Sequence, residues 1–507
     1  MAAATAALRG RGLLRPLLAA GRLSAAGPPE PRRPFRAGGV PGKGSDPLRE
    51  LEKEMVKFHK KLKDSLPGSG WSPLVVSKDL PPEQADIVII GGGIIGWSIA
   101  YWLKMNEPQK NALRVVVVER DLNYSKASTV LSVGGIRQQY SLPENIQLSR
   151  FSADFLRSVN DYLGIVSQPP VDIQFNPMGY LFLASEEGAA ILEENVQIQR
   201  TEGAKISLLS PAQLKRKYPW LNTDDVALAS CGLENEGWFD PWLLLNAFRK
   251  KAVSMGVYQS HGEVVSFESD FREMMGSDGE VLNFSRIKYV MVQMPDSIEY
   301  STIQCSIVVN AAGAWSGKVA EMAGIGTGLP DTISGIRLPV EPKKRYVYVF
   351  NCPNGPGLEC PILIDTTGAY CRREGLGGNY IGGMSPEEEE EPDTTDLEVD
   401  HEFFQEKVWP KLSHRVPAFE SLKVKSSWAG YYDYNTFDQS PVIGTHPLVQ
   451  NLYFASGFSG HGLQQSPAVG QAVAELILNN KYKTINLERF SFDRLIKGEK
   501  ALERNII

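Results

Sequence analysis

The stretch DIVIIGGGIIGWSIAYWL, residues 86–103, is the most apolar run in the chain and determines the fold that the sequence predicts. A helix that spans a bilayer needs about 20 consecutive apolar residues, but this run is shorter and is interrupted by glycines. Residues 87–90 are β-branched and suit a strand buried on both faces, whereas residues 97–103 favour a helix. The run therefore predicts a strand that passes into a helix through a glycine turn.

The glycine turn has the spacing of a dinucleotide-binding site. Gly91, Gly93 and Gly96 form G-x-G-x-x-G between the strand and the helix, and Glu119 ends a second apolar strand at residues 113–120. The glycines allow a tight turn and close backbone approach, and the helix N-terminus offers N–H groups and positive potential to a pyrophosphate. Glu119 is placed to accept hydrogen bonds from ribose hydroxyls. Together these features predict a bound dinucleotide.

The order of elements predicts an α/β protein with two kinds of sheet. A strand, a helix and a second strand over residues 85–120 form a βαβ unit, which implies a Rossmann-like parallel sheet with helices on its faces. Alternating strands over residues 337–426, joined by turns that contain glycine, predict a mostly antiparallel sheet in an α+β substrate domain. An acidic run at residues 387–391 lies among them and is interpreted as a solvated loop.

Composition excludes several functional classes. The 507-residue chain has the apolar and charged fractions of a folded protein, and its net charge of −6 gives no reason to expect nucleic acid as a partner. Its five cysteines are too few and too scattered for a disulfide framework or a zinc site, so reduced thiols and no bound metal are expected.

The N-terminal region differs in composition from the rest of the chain. Residues 1–45 are rich in Arg, Leu and Ala and contain no acidic residue before Glu30, which is typical of a mitochondrial transit peptide. A disordered basic tail is the alternative. Residues 47–66 follow with the spacing of an amphipathic helix, which could pack on its own protein, lie on an anionic membrane as a peripheral contact, or dock a partner.

Two further segments extend the resemblance from a motif to a family. CSIVVNAAGAWS, residues 305–316, and YFASGFSGHGLQQSPAVG, residues 453–470, each join a strand to a glycine turn. With the G-x-G-x-x-G turn, they make residues 83–485 similar to the D-amino-acid oxidase family of flavoproteins, which includes glycine oxidase, sarcosine oxidase and dimethylglycine dehydrogenase. The resemblance implies FAD as cofactor and oxidation of a CH–NH or CH–NH2 group.

The resemblance assigns the FAD contacts residue by residue. It implies that Gly91, Gly93, Gly96 and Glu119 hold the ADP half. The other implied contacts are Ser128 and Thr129 near the pyrophosphate, Val264 at the adenine, Gly313 and Trp315 at the second nucleotide contact, and Gly460, His461, Gly462 and Gln464 at the isoalloxazine. His461 could instead be a packed turn residue.

The same comparison predicts that FAD is bound non-covalently. Sarcosine oxidases attach the flavin through a cysteine where this chain has Gly430 or Tyr431. Dimethylglycine dehydrogenases attach it through a histidine in the loop after the second strand, and the corresponding STVLSVGG contains none.

A small amine substrate calls for an apolar, aromatic pocket beside the flavin. Tyr346 and Tyr432 are predicted to line it, as are the neighbouring Tyr348, Tyr431 and Tyr434. A substrate carboxylate would call for a fork-shaped cation. Arg372 and Arg373 lie near the position of such an arginine in the family, and Lys344 and Arg345 are similar candidates; surface side chains without a role in binding are the alternative for each.

The segments RYVYVF, GYYDYNTFD and GFSGHGLQQSP are also similar to mitochondrial FAD-dependent oxidoreductases that serve in the assembly of respiratory complex I. This resemblance implies a location on the matrix side of the inner membrane and complex I subunits or assembly intermediates as partners. Two alternatives stay open: an amine or N-methyl amino acid dehydrogenase or oxidase of matrix metabolism, and a catalytically silent flavoprotein that acts as an assembly chaperone.

The predicted domain organisation interleaves the two sheets along the chain. Its parts are the transit peptide (1–45), the amphipathic helix and linker (46–82), the FAD-binding domain (83–165, 231–325 and 426–490), the substrate domain (166–230 and 326–425) and a C-terminal tail (491–507).

Overall fold

A computed structural model describes residues 80–275, 281–295, 297–330 and 332–504. The predicted transit peptide at residues 1–45 and the predicted helix at residues 47–66 lie outside the described residues. Within them, two eight-stranded sheets and one two-stranded ribbon carry the fold.

The strands are as follows: β1 Gln84–Ile90, β2 Val115–Glu119, β3 Gly135–Ile136, β4 Tyr180–Ala184, β5 Ile206–Leu209, β6 Leu228–Gly232, β7 Gly237–Trp238, β8 Tyr258–His261, β9 Glu263–Met275, β10 Val281–Gln293, β11 Tyr300–Asn310, β12 Val340–Asn351, β13 Ile362–Ile364, β14 Tyr370–Glu374, β15 Asn379–Gly383, β16 Lys423–Asn435, β17 Val442–Thr445 and β18 Leu452–Ser456.

The α-helices are as follows: α1 Ile94–Met105, α2 Ser128–Leu131, α3 Pro143–Arg157, α4 Val159–Leu163, α5 Glu186–Thr201, α6 Pro211–Lys217, α7 Pro241–Ser254, α8 Ser316–Met322, α9 His401–Phe403, α10 Trp409–Arg415, α11 Gly462–Asn479 and α12 Asp493–Lys497. None of the helices in the described ranges is both long enough and apolar enough to cross a membrane.

The first sheet is the predicted parallel sheet. Its order is β17-β18-β11-β1-β2-β8, and every pair from β18 to β8 is parallel. β1 is the central strand, with Val88 paired to Val308 on one side and to Val116 on the other, all three buried. The long hairpin of β9 and β10 continues this sheet from β11 in antiparallel pairing.

The second sheet has the order β16-β12-β15-β14-β13-β4-β6-β5. Its pairs are antiparallel except that of β13 with β4, which confirms the predicted mostly antiparallel sheet. β16 pairs with β12 over its whole length, so the predicted domain boundary between residues 425 and 426 falls inside β16. The boundary between residues 230 and 231 likewise falls inside β6.

The glycine turn between β1 and α1 takes the form that the motif predicts. Gly91 has φ +101°, and a Cβ there would lie 2.4 Å from the Ala311 carbonyl oxygen. A Cβ on Gly96 would lie 2.0 Å from the Gly91 carbonyl oxygen. Both positions therefore require glycine, one for its backbone conformation and both because the neighbouring backbone lies so close.

The C-terminal residues are part of the folded body. Glu503 is buried and accepts hydrogen bonds from the N–H groups of Ser141 and Leu142 at the start of α3. Arg494 of α12 is paired with the buried Asp438 at 2.8 Å. The described part of the predicted tail, residues 491–504, thus packs against Asp438 and against the beginning of α3.

The interpretation of residues 387–391 as a solvated loop is wrong for Glu391. Residues 387–390 are exposed, but Glu391 is half-buried and pairs with both Arg345 and Lys343 of β12. Sequence composition identifies an acidic run, but the cations that one of its members reaches are almost fifty residues away.

Substitutions in the glycine turn should distinguish a glycine that packing requires from a glycine that leaves space for a ligand. Gly96→Ala would force a methyl group against the Gly91 carbonyl oxygen, and we expect a loss of about 1–3 kcal/mol in the free energy of unfolding. Gly93 has φ −67°, and a Cβ there would meet only the Thr129 Oγ1 at 3.6 Å. Gly96→Ala should therefore lower the midpoint temperature of thermal unfolding of the FAD-free protein, and Gly93→Ala should leave it nearly unchanged. Equal stability of the two variants would contradict this packing argument.

Candidate active site

A cavity of about 390 Å³ lies between the carboxyl ends of the parallel strands and the second sheet. β1, β2 and β11 contribute one wall, and β12, β13, β14 and β16 contribute the other. The predicted site residues that line it are Gly91, Gly93, Glu119, Ser128, Thr129, Val264, Gly313, Trp315, Tyr346, Tyr432, Gly460, His461, Gly462 and Gln464. Gly96 lies one turn into α1 and supports the glycine turn from behind.

Glu119 lies at the dinucleotide end of the cavity and is fixed by backbone donors. Its Oε2 accepts the Gly92 N–H at 2.8 Å and its Oε1 accepts the Asp121 N–H at 2.8 Å. Burial raises the pKa of Glu119 above its ordinary value, while the hydrogen bonds from Asp121 and Gly92 act in the opposite direction. A carboxylate has about four acceptor positions, so Glu119 can still accept hydrogen bonds from ribose hydroxyls.

A side chain of the neighbouring helix α2 accepts a hydrogen bond from the N-terminus of α1. Gly93 is the N-cap and has no side chain to offer, but Thr129 of α2 accepts the Ile94 N–H through Oγ1 at 3.2 Å. Thr129 and Ser128 both face the cavity at this point. The arrangement leaves room above Gly93 for a phosphate and keeps hydroxyl groups beside it.

The predicted adenosine end combines backbone and aromatic surface. Val264 of β9 and Gly313 line the cavity there, and Trp315 lies beneath the Arg120 guanidinium, whose carbon is 3.9 Å from the ring centroid. Trp315 also meets Tyr431 edge to face at 5.7 Å between centroids. This stack closes the far end of the cavity.

The turn before α11 is held by a buried carboxylate. Asp433 of β16 accepts the N–H groups of Gly457 and Phe458, each at 3.0 Å. Burial raises the pKa of Asp433 to about 6, against the hydrogen bonds from the backbone. Gly460 has φ +99°, and a Cβ there would lie 2.7 Å from the Tyr432 ring. The turn thus packs closely against Tyr432 of β16. Helix α11 begins at Gly462, and its N-terminus lies at the cavity.

Arg137 is a cavity residue that the sequence analysis missed. It is 1% exposed, and its Nη2 lies 2.9 Å from the His461 Nε2, while its backbone N–H donates to the Gln464 Oε1 at 2.9 Å. Its guanidinium lies over the Tyr140 and Phe182 rings at 4.6 and 5.1 Å. The sequence offers only a lone arginine after Gly134 and Gly135, with no periodicity to mark it as buried.

The contact with Arg137 defines the state of His461. Burial, and then the charge of Arg137, lower the pKa of His461 to about 3. His461 is therefore neutral near pH 7, with Nε2 accepting from Arg137 and the proton on Nδ1. The His461 ring packs against Tyr140 and also lines the cavity, and its contact with the isoalloxazine stays a prediction.

Glu236 is a buried carboxyl group whose charge interacts with that of Arg137. It is 1% exposed and accepts the Gln138 N–H at 2.7 Å and the Gln139 Nε2 at 2.9 Å. Burial raises the pKa of Glu236 to about 7, while these hydrogen bonds and the charge of Arg137 lower it. A buried cation, a buried carboxyl group and a neutral histidine are thus concentrated at one end of the cavity.

The same end forms an apolar chamber. Tyr180, Ile362, Ile364 and Tyr370 line it together with Tyr432. Of the other predicted tyrosines, Tyr346 and Tyr431 also reach the cavity, whereas Tyr348 packs into the core of the second sheet and Tyr434 lies under Lys343.

The structure does not bring Arg372 or Arg373 to the cavity. Arg372 donates to the Val133 carbonyl oxygen at 2.9 Å and pairs with Glu374 at 2.6 Å. Arg373 points to the other face of β14, where it donates to the carbonyl oxygens of Pro356 and Leu376. Adjacent residues of a strand point to opposite faces, and here both guanidinium groups are used by local partners.

The cavity fits a dinucleotide with a redox-active end. The Gly93 backbone leaves space that a side chain would fill, Glu119 lines the cavity beside it, and the N-termini of α1 and α11 both open into the cavity. Two helix N-termini favour negative charge at two places, which suits a pyrophosphate at one end and a reduced ring system at the other.

Comparisons with known proteins agree with this geometry. The family described as FAD dependent oxidoreductase (DAO) matches residues 86–476. FAD-dependent oxidoreductase domain-containing protein 1 of Xenopus laevis is 67% identical over 92% of this chain and 93% of its own length. The glycine oxidase of Bacillus subtilis is 25% identical over 81% of this chain and 97% of its own length.

A solved structure extends the comparison to three dimensions. The L-proline dehydrogenase of P. horikoshii superposes with a TM-score of 0.67 at 30% identity, over 83% of this chain and all of that one. The chain belongs to the family of FAD-dependent oxidoreductases. The predicted fold class and the predicted cofactor, FAD, are both confirmed.

Glu119→Gln should weaken FAD binding, because it removes the charge and replaces one of the two acceptor oxygens with an NH2 group. Hydrogen bonds to a charged group contribute about 1.5–3 kcal/mol, so we expect the FAD dissociation constant to rise about tenfold to a hundredfold. Fluorescence titration of the FAD-free protein measures it. Glu263→Gln is the matched control, because Glu263 lines the same end of the cavity but is exposed. Unchanged affinity in Glu119→Gln would contradict the ribose contact.

Denaturation should release all the flavin. The described residues that line the cavity include no cysteine, and the five cysteines are buried elsewhere without disulfide bonds. Acid precipitation of the FAD-loaded protein should therefore leave the yellow chromophore in the supernatant, as measured by its absorbance. Colour retained in the pellet would show a covalent attachment and overturn the prediction.

Proposed function

We propose that the protein oxidises a CH–NH or CH–NH2 bond of a small amine, with an amino acid or N-methyl amino acid as the substrate class. The observation that carries the proposal is the apolar chamber beside the α11 turn, in which the buried Arg137 is a cationic group. An apolar wall suits the carbon that loses hydride, and a fork-shaped cation suits a carboxylate.

The residues of the chamber have defined tasks in this reaction. FAD, when bound, supplies the hydride acceptor. Tyr180, Tyr370 and Tyr432 exclude water from the reacting carbon. His461 is neutral near pH 7 and holds the Arg137 guanidinium in place rather than supplying a proton. Asp433 keeps the glycine turn rigid through its two backbone hydrogen bonds.

The relatives support the substrate class. One relative is named a glycine oxidase and another an L-proline dehydrogenase. Glycine and L-proline each carry an amine and a carboxylate. The proposal takes from them the chemical class and not the particular compound.

We also propose that the protein acts in the assembly of respiratory complex I on the matrix side of the mitochondrial inner membrane. The support is the resemblance of residues 345–350, 430–438 and 457–467 to proteins with this role, together with the basic, acid-poor residues 1–45. The hairpin of β9 and β10 adds an exposed surface with Phe271, Met274 and Met275, which suits contact with another protein.

A metabolite screen tests the first proposal. We expect amino acids or N-methyl amino acids to bleach the flavin absorbance under anaerobic conditions. Arg137→Met should raise the KM for a carboxylate-bearing substrate about tenfold to a hundredfold, as expected for a lost charged hydrogen bond of about 1.5–3 kcal/mol. Arg216→Met, on the exposed face of α6, should match the wild type. Reduction by dithionite but by no amine would favour the catalytically silent alternative.

Complementation tests the assembly role. In cells that lack the protein, Arg137→Met should bind FAD without efficient oxidation, whereas Gly93→Leu should fail to bind FAD because its side chain enters the phosphate space. If redox chemistry serves assembly, both variants should leave complex I low on native gels. Full complex I with Arg137→Met alone would assign FAD a structural role, which is reasonable because ligand binding stabilises the folded state. Normal complex I in cells without the protein would refute the assembly proposal.

A further inference from the structure

A strap, residues 385–400, lies against the two strands at the edge of the second sheet. Ion pairs and hydrogen bonds attach it to those strands: Glu391 pairs with two cations of β12, Asp396 pairs with Lys344 at 3.1 Å, and the Tyr431 hydroxyl donates to the Thr394 carbonyl oxygen at 2.9 Å. Leu397 contributes an apolar contact with the core of that sheet. The strap therefore sits directly over strands whose residues line the cavity.

Glu391 binds the guanidinium of a cavity residue. Arg345 is 8% exposed and lines the cavity, and it donates from Nη1 and Nη2 to the two Glu391 carboxylate oxygens at 2.8 and 2.9 Å. Its Nε is buried and has no hydrogen-bond partner among the residues that the structure describes. The fork of Arg345 is thus satisfied at its tip by a carboxylate from the strap, while its Nε remains available to a further acceptor.

Arg345 belongs to the same chamber as Arg137. The Arg345 guanidinium lies 5.5 Å from the centroid of the Tyr432 ring. Burial raises the pKa of Tyr432, and the charges of Arg345 and then Arg137 lower it, so both guanidinium groups lie close to this phenol. Arg345 and Arg137 therefore both lie near Tyr432 in the apolar chamber.

A ligand carboxylate can replace Glu391 on Arg345 without leaving a buried charge unpaired. The Glu391 side chain is 21% exposed, and that of its second partner, Lys343, is 20% exposed, so both reach water at the edge of the sheet. Burial raises the pKa of Glu391, but the hydrogen bonds and charge of Arg345 and Lys343 outweigh it and keep the pKa low. Removing Glu391 alone would leave Arg345 uncompensated, whereas an incoming carboxylate would restore the pairing.

We propose that Arg345 is a carboxylate-binding site of the chamber and that Glu391 occupies it until a carboxylate-bearing ligand displaces the strap. The inference rests on the proposed function for its ligand class, an apolar carboxylate of small-molecule size. Glu391 acts as an internal competitor, and the strap opens when the ligand takes the bidentate position on Arg345.

Calorimetric titration of the FAD-loaded protein with phenylacetate tests the inference, with phenylacetamide as the uncharged comparison ligand. Glu391→Gln should bind phenylacetate at least tenfold more tightly than the wild type and should leave phenylacetamide binding unchanged. Glu390→Gln is the matched control, because Glu390 belongs to the same strap but pairs with the exposed Lys407. It should retain wild-type affinity.

The double variant Glu391→Gln with Arg345→Met removes both charges together and so avoids an unpaired buried cation. It should lose the tighter binding. As a second readout, hydrogen exchange of backbone amides in residues 385–400 should speed up when phenylacetate is added to the wild type. Equal affinity of Glu391→Gln and Glu390→Gln, or tight binding retained in the double variant, would overturn the inference.

These measurements do not depend on turnover. Charge-dependent phenylacetate binding without any amine oxidation would uphold the strap and refute the proposed oxidation. Amine oxidation with no effect of Glu391→Gln on phenylacetate affinity would do the reverse.

Discussion

The contact that the rest of the structure depends on is the close packing of backbone around the Gly91 turn. At this point the Ala311 carbonyl oxygen, the Gly91 carbonyl oxygen and the start of α1 meet at distances that leave no space for a Cβ on Gly91 or Gly96. This packing fixes the direction in which α1 leaves the sheet. It therefore sets both the position of the phosphate-binding N-terminus and the face of α1 that α11 covers.

The second end of the cavity is assembled from segments distant in the chain. Asp433 from the antiparallel sheet holds the turn that begins α11, and Arg137 from the segment after α2 reaches His461 in that turn. The antiparallel sheet thus positions the turn that follows β18, and that turn contacts the segment that follows β3 of the two-stranded ribbon. A polar network behind the chamber follows from these contacts, and the ligand-facing surface combines an apolar wall with the guanidinium groups of Arg137 and Arg345.

The sequence predicted those features that depend on local backbone requirements. The glycine turn, the strands on either side and Glu119 follow from steric limits and strand periodicity, and the structure has them in the predicted places. Arg137 and Glu236 could not be predicted, because Glu236 meets a partner 98 positions away and Arg137 meets a partner 324 positions away. The alternation along β14 separates Arg372 from Arg373 but does not show that each would be used by a local acceptor. The ion pairing of Glu391 could not be predicted for a related reason. The acidic composition of residues 387–391 does not show which cation any one of these residues contacts.

The packing of α1 against α11 has a consequence for how the chain reaches this state. The Ser98 hydroxyl donates to the Ser466 carbonyl oxygen at 2.7 Å and the Trp102 indole donates to the Pro467 carbonyl oxygen at 2.8 Å, across more than 360 residues of chain. Contacts so distant in sequence make folding slow and expose apolar strands in the meantime. Helix α1 therefore stays incompletely covered until synthesis has delivered the last tenth of the polypeptide. Premature termination of synthesis before α11 is complete removes the cover of α1.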